Sequence, residues 1–217
     1  MKNQFFRLLL LFTSLIPRFS IAHEPPDSGS VSLTISVFND AGVSPSVMAQ
    51  ARDRAGFILR HSGISLIWLD CGTPAKRPLD SGCSAISFPE HLSVRLVPTG
   101  SGGTQDIFGR SFQDAEGQGS YAVVYFELLA ASESIQEIGT GDLLGSVIAH
   151  ELGHLLLGRD SHSPSGLMSP SWQTSQLRLA ARGRLFFTNQ EQDRIRARYL
   201  AAGWKRAGGG SIGPSGK

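Results

Sequence analysis

The chain has 217 residues, 41% of them hydrophobic and 18% charged, with a formal net charge of +2 at pH 7. That length supports one domain with a sizeable core. The near balance of charge leaves no electrostatic footprint for nucleic acid, and beyond the first residues no long apolar run exists to anchor the chain in a membrane.

The first segment does not belong to the fold. Met1 to Ala22 combines a basic start (Lys2, Arg7), the apolar run Leu8 to Phe12 and small residues at Ser20 and Ala22. This is the pattern of a secretory signal peptide spanning 1–22, with cleavage expected after Ala22. Pro17 and Arg18 interrupt the segment too early for a spanning helix. Its removal takes away three basic and no acidic residues, so the formal charge falls from +2 to −1. A secreted or periplasmic protein is expected, and there Cys71 and Cys83 are expected to pair as a disulfide.

His23 to Ser30 is a short polar lead-in. Val31 to Val37 alternates apolar and polar residues, as a half-buried strand does. Ser44-Pro45 opens a helix, with Ser at the N-cap and Pro at the first turn. Val47, Met48, Ala51, Ala55, Ile58 and Leu59 recur along it at helical spacing until Ser62-Gly63. Ile64 to Leu69 reads as a second strand, which makes a parallel crossover with the first. Leu92 to Val97 is a third strand, preceded by a surface His91. Ile107 to Phe112 reads as a short edge strand and Ser120 to Phe126 as a buried one. The glycine-rich loop at 99–104 lacks the Lys-Ser/Thr ending of a phosphate loop and is not one.

The chemistry lies further on. His150-Glu151-Leu152-Gly153-His154 is an H-E-x-x-H motif on a helix opened by Thr140 or Asp142 and stopped by Gly158. Two histidines four residues apart lie on one helix face and can hold one metal, with the intervening Glu as base toward a water on it. His162 offers a third nitrogen, and three imidazoles with an open fourth position suit Zn2+. A shorter helix is expected within Leu177 to Arg184. Thr188 to Glu191 is a capping box opening a last helix, and 206–217 is glycine- and serine-rich, as a disordered tail is.

His150, Glu151, His154, Gly158, His162-Ser163, Gly166-Leu167-Met168 and Pro170 together resemble the metzincin zinc metalloproteases, and among them the matrixins. The likeness is specific over residues 150–170 and only topological elsewhere. It implies an α+β catalytic domain over 23–205: a twisted, mixed five-stranded sheet with a crossover helix, an active-site helix, a Met-turn at Met168 and a C-terminal helix. It implies a secreted endopeptidase, monomeric, acting on protein or peptide substrates, with Glu151 as general base and Met168 as the apolar floor beneath the histidines. It also implies substrate pairing along Ile107, Phe108, Gly109 and Arg110, and a specificity wall between Ser169 and Phe187.

One departure stands out. The metzincin pattern places the third ligand six residues after the second histidine, and that position here is Asp160, whereas His162 is two residues later. The third ligand is therefore His162 or Asp160; the Ser163 and Gly-Leu-Met that follow favour His162. Pro170 stands where astacins and serralysins carry a tyrosine, so those subfamilies fit less well. Two alternatives are weighed. A zinc-binding protein of this fold without turnover would not need Glu151 as a base, and a glutamate ligand on a later helix would have to be Glu191, which the capping box already explains.

Overall fold

The structure, a computed structural model, describes residues 31–72, 82–98, 108–131 and 139–201. The expected signal segment, Ile107 and the tail at 206–217 lie outside the described residues. The elements, in chain order, are β1 (Val31–Asn39), α1 (Pro45–His61), β2 (Ile64–Asp70), β3 (His91–Val97), β4 (Gly109–Phe112), β5 (Tyr121–Tyr125), α2 (Phe126–Ala130), α3 (Thr140–Leu157), α4 (Thr174–Ala181) and α5 (Asn189–Ala201). The strands form one mixed sheet in the order β2-β1-β3-β5-β4. Only β4 runs antiparallel, pairing Gly109 with Val124 through Phe112 with Tyr121 at the sheet's edge. The five-stranded sheet, the helix crossing between parallel β1 and β2, the motif helix and the last helix follow the expected order.

Local signals account for most boundaries. Ser44 Oγ accepts the Val47 N–H at the start of α1, and Gly63 takes φ +80° just after its end. Leu33, Ile35 and Val37 of β1 are fully buried, on the face that alternation assigns to the core. The other face departs from the expectation. Ser36 is also fully buried, and His91, read from sequence as a surface residue, is 8% exposed and sits 2.8 Å from Ser36 Oγ through Nε2. The chain at Cys83 and Ser87 lies against this face: Ser36 Oγ donates to the Cys83 carbonyl at 3.4 Å, Ser87 forms an antiparallel bridge with His91, and Cys83 is tied by a disulfide to Cys71, with the Cα atoms 5.8 Å apart.

Two further differences have physical causes. The strand expected through Phe126 stops at Tyr125, and Phe126 opens the short α2, anchored by the Glu127 N–H on the Pro98 carbonyl at 2.9 Å. Neither Thr140 nor Asp142 caps α3. Its N-cap is Gly139, at φ +86° with no side-chain bond. Asp142 instead lies in the first turn, where its charge complements the helix dipole. The capping box of α5 is formed as read: Glu191 Oε2 accepts the Thr188 N–H at 2.6 Å and Thr188 Oγ1 accepts the Glu191 N–H at 3.3 Å.

Helix α3 runs through the middle of the molecule and is buried on most of its circumference. It packs on α1 and also touches β4, β5, α2, α4 and α5. Contact with α1 is made at glycines. A Cβ at Gly145 would lie 2.6 Å from Arg54 Cβ and would press on the Ala51 carbonyl. Buried Arg54 completes this seam, donating to Ser146 Oγ at 3.3 Å and to the Leu185 carbonyl at 3.4 Å. Gly145→Ala gains helix propensity but must push α1 away. We expect a net loss of about 1–3 kcal/mol, read as a lower urea midpoint at unchanged m-value; a variant as stable as wild type would mean that the two helices are less tightly apposed.

Candidate metal centre

On α3 the four-residue spacing stacks His150 and His154 on one side, with ring centroids 4.8 Å apart. Gly158 ends the helix at φ +85°, and the chain turns back so that the His162 ring lies 4.6 Å from His154 and 5.6 Å from His150. One ring nitrogen from each of the three can be chosen so that all lie within 4.8 Å of one another. Asp160 does not belong to that group; it is exposed and takes the left-handed φ of +51° that lets the loop turn.

The hydrogen bonds fix which nitrogens face inward. His150 Nδ1 is 2.7 Å from the Leu167 carbonyl, which can only accept, so Nδ1 carries the proton and Nε2 presents a lone pair. His154 Nδ1 is engaged by Ser161 Oγ at 2.7 Å, and its Nε2 lies 3.1 Å from His150 Nε2. Two imidazole lone pairs so close repel unless a proton or a cation lies between them. Burial, opposed by the Leu167 bond and helped by His162, pushes His150 down to about 4. Burial and the two neighbouring rings push His154 down to about 3. Both rings thus stay neutral, the state in which imidazole binds metal. By donor type, number and orientation the three residues fit Zn2+.

Around the histidines, the remaining motif residues take definite places. Met168 is fully buried, and a Cβ at Gly153 would run into its sulfur and the Phe187 ring. The turn that carries it is closed by the Ser163 N–H on the Met168 carbonyl at 3.0 Å and the Ser169 N–H on the Gly166 carbonyl at 3.3 Å. Glu191 is held by its cap and by Ser163 Oγ, which donates to it at 2.6 Å, so it is occupied away from the three rings.

Glu151 is 4% exposed, and Ser111 Oγ of the edge strand donates to its Oε2 at 2.8 Å. Gly109 makes room for the same carboxylate: a Cβ there would sit 2.6 Å from Oε1. Burial pushes Glu151 up to about 7, against the pull of the Ser111 hydroxyl and the charge of Arg110.

All four groups open into a cleft of about 820 Å³. One side is Phe108 to Ser111; the other is Ser169 to Gln173 with Leu177, inside the stretch that the sequence assigned to the specificity wall. Trp172 stands in that wall with its indole N–H donated to the Leu167 carbonyl at 3.1 Å, the same oxygen that orients His150. Sequence reasoning missed Ser111, Ser161 and Trp172, and also Gln113, whose side-chain amide donates to the His154 carbonyl. Strand alternation from Gly109 would have pointed Ser111 the same way as Gly109; for the others no spacing signal exists.

No protein-family model and no curated protein sequence matches the chain. Solved structures do resemble it in fold. A zinc-dependent peptidase from Methanocorpusculum labreanum (strain Z) superposes with a TM-score of 0.50 at 14% identity, over 74% of this chain and 99% of that one. An archaemetzincin from Methanopyrus kandleri also gives 0.50, at 16% identity, over 78% and 96%. The likeness is one of fold.

A zinc titration separates the two sequence candidates for the third ligand. His162→Ala is expected to lose tight zinc binding in a competition with a chromogenic chelator, while Asp160→Ala keeps it; the reverse result would place Asp160 at the metal.

Proposed function

We propose that this chain is a zinc-dependent endopeptidase of the metzincin type. The observation that carries the reading is the convergence of three imidazoles and one buried carboxylate on the floor of an open cleft whose rim is an edge strand. His150 and His154 would hold the ion through their Nε2 atoms, with His162 as the third ligand. Bound zinc supplies Lewis acidity, lowering the pKa of a water toward 7 and polarising a carbonyl.

The protein's own groups do the rest. Glu151 takes a proton from the attacking water and returns it to the departing amine nitrogen. Ser111, bonded to Oε2, fixes the carboxylate's orientation, while Gly109 leaves space for Oε1. The edge strand β4 pairs with substrate backbone by strand addition, and Phe108, Gly109 and Arg110 lie along that rim. Met168 forms the apolar floor under the histidines. Trp172 and Leu177 give the opposite wall an apolar surface against which a substrate side chain packs.

Within the class, His162-Ser163 and Gly166 to Met168 support a matrixin-like enzyme. The basic and apolar start of the chain and the Cys71–Cys83 disulfide support export to an oxidising compartment. Among the described residues no helix is long and apolar enough to cross a membrane.

Cleavage of casein and of a quenched peptide library by mature protein tests the proposal. Glu151→Gln is expected to keep one zinc per chain while kcat falls about 10²–10⁴-fold, the usual contribution of a positioned general base. Wild type that holds zinc yet cleaves nothing in the library would favour a binding protein built on the same fold. Wild type without zinc would overturn the metal reading altogether.

A further inference from the structure

Between His154 and His162 the chain is two residues longer than the metzincin pattern, one before Gly158 and one after it, and the added length is not idle. Gly158 at φ +85° and Asp160 at φ +51° are two left-handed residues within three positions. They rotate the backbone so that Arg159 and Asp160 point to solvent while Ser161, between Asp160 and His162, is only 3% exposed. A buried serine flanked by exposed residues calls for a partner. Among the described residues its hydroxyl makes one hydrogen bond, to His154 Nδ1 at 2.7 Å.

We propose that Ser161 is a positioning residue for the metal: its hydroxyl accepts the Nδ1 proton of His154 and so turns the Nε2 lone pair toward the ion. The inference rests on the zinc reading given above. The two helix histidines are held differently. His150 faces a backbone carbonyl, which can only accept and leaves it a single tautomer. His154 faces a hydroxyl, which can donate or accept, and among the described residues its Nδ1 makes no other hydrogen bond. With Ser161 as acceptor, His154 Nε2 is a ligand. With Ser161 as donor, the proton moves to Nε2, and the 3.1 Å contact with His150 Nε2 becomes a hydrogen bond between the two rings. The ion must therefore select the first arrangement, and Ser161 is what makes it available. The lengthened loop brings this hydroxyl in; a loop of the family's length would have ended at the position of Asp160.

Partners of metal-bound histidines typically change affinity 10–100-fold when removed, and that range sets the expected result. Ser161→Ala is compared with wild type and Ser161→Thr by zinc competition against a chelator of known affinity. Thermal melts are recorded in excess chelator and in excess zinc. The inference predicts a 10–100-fold weaker zinc constant for Ser161→Ala, a smaller zinc-induced rise in its melting midpoint, and a chelator-treated midpoint close to wild type. Ser161→Thr, which keeps the hydroxyl, should recover most of the affinity. A zinc constant for Ser161→Ala equal to that of wild type overturns the inference while leaving the zinc site intact; wild type that binds no zinc overturns both. If Ser161→Ala does not fold, zinc-loaded wild type labelled with 15N-histidine decides. A His154 proton on Nδ1, protected from exchange, supports the inference, and a proton on Nε2 overturns it.

Discussion

One stripe of small residues along α3 governs where everything else lies. Gly141, Gly145, Ala149 and Gly153 are spaced four apart and so follow one another along one side of the helix. Each glycine marks a close approach: the Gln50 side chain at Gly141, the α1 backbone and Arg54 at Gly145, and Met168 with Phe187 at Gly153. Glycine weakens a helix interior by roughly 0.5–1 kcal/mol relative to alanine, so three of them are costly unless packing returns more. Here the return is depth. The helix sinks between α1 and the methionine turn until its remaining open side, that of the two histidines, is the floor of the cleft.

The Leu167 carbonyl is the second joint. It accepts both the His150 ring N–H and the Trp172 indole N–H. The His150 ring and a cleft wall thus share one backbone oxygen, in a turn whose next residue, Met168, lies against the helix at Gly153. The turn is also tied to α5, because Glu191 serves its own cap and accepts from Ser163 at once. Displacing any one of these elements therefore tilts an imidazole, and orientation errors of that kind are what catalytic and metal sites tolerate least.

How much of this the sequence disclosed follows from the range of each interaction. The motif helix, its two histidines and the α5 capping box depend on spacings of three or four residues, and they were legible. The sheet was legible because β1, β2, β3 and β5 carry apolar residues in runs or alternation, and the crossover followed from their order. His91 was misread because the group its ring meets, the Ser36 hydroxyl on β1, lies 55 residues away in sequence. Gly139 was missed as the N-cap because Thr140 and Asp142 are the better capping residues by type, yet both fall inside the helix. Alternation puts Ser111 on the same strand face as Gly109, but its meeting with Glu151, 40 residues on, has no local signal, and neither does the entry of Trp172 across a turn.

The odd loop length was visible, but its meaning was not, and the reason lies at the end of α3. Cations there complement the helix dipole. Arg194 donates to the Leu157 carbonyl at 3.5 Å, and Arg198 to the Leu156 carbonyl at 3.4 Å and the Gly117 carbonyl at 2.9 Å. Gly158 lies directly under the Arg198 guanidinium, so the helix terminus is fixed from outside by α5. Beyond that clamp the chain turns back to bring the His162 imidazole beside the two on the helix, and Arg159, bonded to the Ala115 carbonyl at 2.9 Å, pins the outer limb of that path. The family spacing points to Asp160, whereas the path beyond Gly158 leaves Asp160 exposed and brings the His162 ring to 4.6 Å from that of His154.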